Sequence, residues 1–313
     1  MSVVSDYLLH INSGDRDPNT FANTNSFEIQ LEKEIFDVSK ITIMSGKIYT
    51  PQTTICATNN TFQVDDITVS LDSKNYSDGN ALALDLQNKL TSLSTNVETV
   101  VFDSNTSSLI FGGGSNTFTF KFFSGTYGYS QNVPFTTPHE VLGFPATDVS
   151  STGSVLRSGA IQLNGPNALI LRMSCGSDVF GQDIFQGNPF YTGKIHLLNK
   201  EFTNYIGRND CVEHNFTSGK LKTLPSITFE FFYPSDGKLI PYDFRNQNYS
   251  LKLMITCCKD RLKNTLKLKR DLSLPPPISI PEFEDPDRWE KYKVYSAIAI
   301  ILIMGMIILY RAR

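Results

Sequence analysis

SFEIQL, residues 26–31, sets Phe27, Ile29 and Leu31 against Ser26, Glu28 and Gln30, and VSKITIM, residues 38–44, repeats the pattern with Ile41 and Ile43 against Lys40 and Thr42. An alternation of period two is the signature of a strand with one face buried. The same reading extends outward in both directions. TFQV (61–64) and ITVSL (67–71) flank Asp65 and Asp66 and predict a hairpin. Further strands are predicted at 97–102, 108–111, 117–123, 167–173, 192–198, 227–233 and 249–255. Residues 112–114, three glycines followed by Ser115 and Asn116, predict the turn between the second and third of these, and residues 234–237 (PSDG) turn the chain after Tyr233.

One stretch breaks the pattern. Leu82, Leu86, Leu90 and Leu93 fall at helical spacing, and Asp78 or Asn80 can cap their start, so an amphipathic helix is predicted over about 80–93. Many short strands with turn-rich connections and one inserted helix define the expected class: all-β, one or two jelly-roll-like antiparallel sandwiches. The Ser/Thr/Gly-rich segment 146–159 suggests a division, giving a β half at 1–150 that contains the helix and a second β half or domain at 151–260. A basic and proline-rich linker at 261–290 and a transmembrane anchor at 291–313 complete the expected organisation.

The anchor is read from residues 294–310 (VYSAIAIILIMGMIILY), which contain no charge. At about 1.5 Å per residue they cover roughly 25 Å, enough for a thin bilayer. Val294, Ile298, Ile301, Leu302, Ile307 and Leu309 form the apolar body, and Trp289, Tyr292 and Tyr310 stand where interfacial aromatics belong. Lys291, Lys293, Arg311 and Arg313 bracket the run. The expected topology is single-pass and tail-anchored, inserted into an ER-derived membrane with the large domain on the cytosolic side. Residues 274–287 hold five prolines in fourteen positions, which excludes helix and sheet and favours a semi-rigid polyproline spacer. Just before it, residues 259–270 (KDRLKNTLKLKR) carry Lys259, Arg261, Lys263, Lys267, Lys269 and Arg270 against Asp260, a run suited to a solvated edge, an anionic lipid surface or an acidic partner subunit. No aromatic residue is interleaved to stack on bases, and the net charge is only -3, so nucleic acid is not expected as a partner.

The five cysteines (Cys56, Cys175, Cys211, Cys257, Cys258) are odd in number and irregularly spaced, which fits a reducing compartment. No nucleophile elbow, HExxH, phosphate loop or CxxC is present, and no enzymatic activity or cofactor is expected. His10, His139, His196 and His214 are scattered and read as structural or surface imidazoles. Cys211 and His214, three apart, make a zinc site with Cys257 and Cys258 imaginable, although the spacing departs from finger patterns. Asp15, Asp17 and Asn19 mimic the start of a calcium loop, but Thr20 and Ser26 replace its glycine and glutamate, and a turn with local side-chain hydrogen bonds explains them better.

Residues 9–17 (LHINSGDRD), followed by 26–31 and 38–43, resemble the opening of minor capsid proteins from nucleocytoplasmic large DNA viruses, as do the later VLGF at 141–144 and the segment 227–255 with its central Asp236 and Gly237. The resemblance implies a structural role in a giant-virus virion: linking the icosahedral outer shell to an inner membrane, with the major capsid protein, other minor capsid proteins and the lipid bilayer as partners. The alternative it leaves open is a membrane-anchored attachment, entry or penton-like protein.

Overall fold

The computed structural model describes residues 3–181, 183–184, 191–198, 201–208, 210–216, 222–259 and 288–312. The chain forms two compact units, Met1–Asp260 and Arg261–Arg313. In chain order the first contains β1 (Val3–Asn12), β2 (Ser26–Tyr49), β3 (Thr61–Val64), β4 (Ile67–Ser70), α1 (Gly79–Ser92), β5 (Thr99–Asp103), β6 (Ser108–Gly112), β7 (Thr119–Lys121), α2 (His139–Leu142), β8 (Val149–Ser150), β9 (Val155–Ala160), β10 (Ala168–Cys175), β11 (Asp178–Val179), β12 (Gly193–His196), β13 (Phe202–Ile206), β14 (Glu213–Asn215), β15 (Lys222–Ser235), β16 (Lys238–Pro241) and β17 (Ser250–Lys259). The second contributes α3 (Arg288–Arg311).

Every strand pairing among the described residues is antiparallel. The largest sheet has the non-sequential order β1-β17-β2-β15-β10-β11, with β13 and β14 also on β2, β16 on β15 and β12 on β10. This is the jelly-roll-like, all-β class that the alternation predicts. The first and last strands of the unit lie side by side, in register from Val3↔Lys259 to Asn12↔Ser250.

The two strands expected at 26–31 and 38–44 are one continuous strand, β2, of 24 residues. The charged stretch between them stays extended but breaks register: β15 shifts against β2 on either side of Leu224, around Pro225, which has no N–H to donate to the ladder, and Asp37 takes a φ of 57°.

Two hydrophobic cores result. One draws on residues 11–48 and 169–257, and its aromatic centre is Phe27, Phe229, Phe231, Phe244 and Tyr249, with ring centroids 4.7–5.9 Å apart. The other draws on residues 55–156 and is therefore an insertion between β2 and β10. The division expected near residue 150 falls inside this insertion, because β8 pairs with β7, β9 pairs with β6, and Leu156 is buried in the second core.

Local chemistry builds the inserted lobe. Asp78 caps α1 by accepting from the Ala81 N–H at 2.9 Å, and Leu82, Leu86 and Leu90 are buried beneath it, while Leu93 closes the helix half out of the core. The hairpin at Asp65 and Asp66 forms as expected, with Asp65 at φ 53°. The glycines at 112–114 do not make a hairpin. β6 and β7 belong to different sheets, so the triplet carries the chain from one to the other, with Gly114 at φ 58°. Phe120 on β7 is the hub of the lobe, its ring 4.9–5.8 Å from those of Phe62, Phe111, Phe118, Phe122 and Phe144.

Phe120→Ala is expected to cost about 3–5 kcal/mol, and Asp78→Ala about 1 kcal/mol, both read from denaturant unfolding followed by circular dichroism. Equal, near-zero effects would contradict this packing.

Candidate functional site

α3 is apolar on every side. From Glu290 to Arg311 it offers 22 residues, within which an 18-residue window has a mean hydropathy of 2.1 and is nowhere buried. At about 1.5 Å per residue the helix is roughly 33 Å long and its uncharged run, 294–310, roughly 25 Å, enough for the hydrocarbon of a thin bilayer. Val294, Ile298, Ile301, Leu302, Ile307 and Leu309 are all exposed, as are Tyr292 and Tyr310 near the two ends; Trp289 lies in the first turn. Of the basic run, Lys259 ends β17, paired with Val3; Arg261, Lys263, Lys267, Lys269 and Arg270 lie outside the described residues.

A second feature joins the two cores. β15 and β16 are connected by Asp236 and Gly237, with φ of 41° and 91°, the positive values that a tight two-residue hairpin turn demands. This tip meets the inserted lobe. Tyr129 donates its hydroxyl hydrogen to the Ser235 carbonyl at 2.6 Å, Thr136 Oγ1 lies 3.2 Å from the Tyr129 oxygen, and His139 Nε2 lies 2.9 Å from Asp236 Oδ2. Lys238 donates to the carbonyls of Gly128 and Gln131 and rests over the Tyr129 ring. His139 is fully buried, and that burial pushes its pKa below the ordinary value despite the Asp236 carboxylate. Burial, and then the Asp236 charge, hold Glu140 above its usual range. Burial also lifts the Tyr129 hydroxyl to about 12. The turn itself is legible in PSDG; its meeting with His139, 97 residues away, is not.

The other sequence candidates go elsewhere. Cys211 and His214 sit at β14 and Cys257 and Cys258 on β17, with β2 running between those strands. His214 stacks on Phe180, and the Cys211 thiol donates to Glu213. Asp17 accepts from the Asn19 N–H and the Thr20 hydroxyl, a turn closed by its own side chain as expected. A cleft of about 540 Å³ between the cores is lined by amides and tyrosines, among them Gln52, Asn75, Tyr76, Gln162, Asn164 and Tyr242.

No protein-family model and no curated protein matches this sequence. Solved structures similar over most of the chain include two from virophages. The crystal structure of the selenomethionine-labelled mavirus penton protein shares 10% identity, covers 82% of this chain and 100% of its own, and superposes with a TM-score of 0.39. A chain of the cryo-EM structure of the Sputnik virophage shares 11% identity over 81% of this chain and 97% of its own, with a TM-score of 0.27.

The buried imidazole has a consequence for pH. A histidine whose folded pKa lies below the ordinary 6.5 binds its proton more readily when unfolded, so stability is lost as pH falls through 6.5 towards the folded value. Glu140, raised above 4.5, acts in the opposite sense: its contribution is present below 4.5 and disappears as pH rises through the folded value. In chelator-containing buffer, the urea midpoint of the wild type minus that of His139→Gln should therefore decrease as pH is lowered from about 7 to 5.5.

Proposed function

We propose that this chain is a non-enzymatic structural protein of a viral capsid, a minor capsid component that ties an icosahedral shell to the membrane beneath it. The observation that carries the tether is α3, whose uncharged run at 294–310 is apolar on all faces, on the same chain as an all-β body. Support for the capsid role is the resemblance in sequence, and the fold adds to it. The resembling segments at 9–17, 26–31, 38–43 and 227–255 are far apart in the chain, yet four of the strands they supply are adjacent in one sheet, in the order β1-β17-β2-β15. VLGF at 141–144 lies apart, in the inserted lobe, but the convergence of the other segments on neighbouring strands is what a common β framework would produce.

In this reading the body meets the major capsid protein and other minor capsid proteins through its β surfaces. β1 is the end strand of the large sheet, with Val4, Tyr7 and Leu8 exposed. An edge of this kind offers main-chain donors and acceptors to a neighbouring subunit. The body lies on the cytosolic face of an ER-derived membrane during assembly, and Lys259 with the basic residues after it stands between body and lipid in the chain.

Expressed in eukaryotic cells, the full chain should stay in the membrane pellet through alkaline carbonate, and a chain ending at residue 287 should not. Ile301→Arg, which places a charge near the middle of the span at a cost of about 2.5–3.5 kcal/mol, should shift part of the protein to the supernatant. Extraction of the full chain by carbonate would remove the tether. In assembled particles, crosslinking from Lys259 and the lysines after it should reach a shell subunit; crosslinks confined to host surface proteins would instead favour an attachment role.

A further inference from the structure

His139 and Glu140 come from the inserted lobe and Asp236 from the β15–β16 turn, and one nitrogen and two carboxylate oxygens from these three residues all lie within 4.8 Å of one another. We propose that they form a binding site for a divalent cation of the zinc class, with His139 Nε2 and one oxygen each from Glu140 and Asp236 as protein ligands and water completing the shell. This site is independent of the capsid reading.

Three observations carry the assignment. The first is the donor set: one imidazole nitrogen and two carboxylate oxygens suit zinc and its neighbours, and three protein ligands leave a position for water. The second is the anchoring of the imidazole. His139 Nδ1 lies 3.0 Å from the Thr137 hydroxyl and 3.1 Å from the Thr137 carbonyl; in the tautomer whose Nδ1–H donates to that carbonyl, the Nε2 lone pair faces the two carboxylates, the arrangement that orients a ligating histidine. The ring is held between Tyr129, edge-on at 5.2 Å, and Phe122 at 6.1 Å, so the ligand is positioned before any ion arrives.

The third is charge. Two carboxylates share this small space, and among the described residues no lysine or arginine is ion-paired to either. Lys238, the nearest basic side chain on the hairpin, is turned onto the carbonyls of Gly128 and Gln131, and Glu140 bonds to Ser235 and the Asp236 backbone. Like charges this close disfavour each other's ionisation, and a cation between them removes the conflict. The carboxylates are on the exposed side and the imidazole on the buried side, which gives an ion a way in from solvent. Because the ligands belong to both cores, the bound ion would fasten the inserted lobe to the large sheet.

The test uses the full chain in detergent, stripped with chelator and titrated at neutral pH with zinc, manganese or calcium chloride alone. Calorimetry should show one zinc per chain and a raised Tm. Asp236→Asn keeps the turn, since asparagine tolerates the positive φ there, and Glu140→Gln lies on the exposed side; each should weaken zinc binding roughly tenfold or more, the size that even changes outside the first ligand layer produce. The cobalt-loaded protein should lack a thiolate charge-transfer band. Undiminished binding in both variants, a thiolate band, or no zinc effect on the wild type would overturn the proposal and leave His139 Nε2–H donating to Asp236 as a plain hydrogen-bonded latch.

Discussion

The main-chain hydrogen bonds along the two edges of β2 are the constraint on which the rest of the structure depends. A buried N–H or C=O without a partner costs about as much as a lost hydrogen bond, and a 24-residue strand has many to satisfy. β17 pairs along one edge from Val38 to Lys47, while β15, β14 and β13 supply partners along the length of the strand. Those partners come from residues 202–259, so the N-terminal strand cannot be completed until the end of the body has been made. Long sequence separation of this kind makes folding slow and leaves edges exposed while it proceeds.

Between β2 and β10 the chain builds a second core, and the two cores have to be held in register with each other. Apolar packing contributes most of the stability within each, but apolar contact has little direction. The contacts from the β15–β16 hairpin to the inserted lobe supply direction: Tyr129 to the Ser235 carbonyl, Thr58 to the Tyr233 hydroxyl at 3.1 Å, and His139 to Asp236. Each pairs a polar group that would be expensive to bury alone. The same seam holds three perturbed titrating groups, His139, Glu140 and Tyr129, each shifted chiefly by burial.

α3 obeys a different solvent logic. An amphipathic helix such as α1 hides one face on a sheet, and its leucines at 82, 86 and 90 are accordingly buried. α3 has no polar face to leave in water, and each isoleucine or leucine left there forgoes about 1.5–3 kcal/mol. Its backbone groups are satisfied within the helix, as a lipid environment requires. The body and the helix therefore suit two phases, which is the physical basis for proposing a tether.

Features set by neighbours in sequence could be read from the chain alone. The period-two runs became strands, Asp78 with Leu82, Leu86 and Leu90 became α1, Asp65 and Asp66 and then Asp236 and Gly237 became turns, and the uncharged run at 294–310 became the apolar part of α3. Propensity, capping and hydropathy act over a few residues, so they leave a local trace. Tertiary structure alone decided that β2 runs unbroken through a charged stretch, that the three glycines cross between sheets, that residues 55–163 form an inserted lobe, and that His139 meets Asp236. Those outcomes depend on which distant strands satisfy each other's hydrogen bonds and which apolar faces share a core. Such pairings are chosen by the free energy of the whole chain, and no short window of sequence contains it.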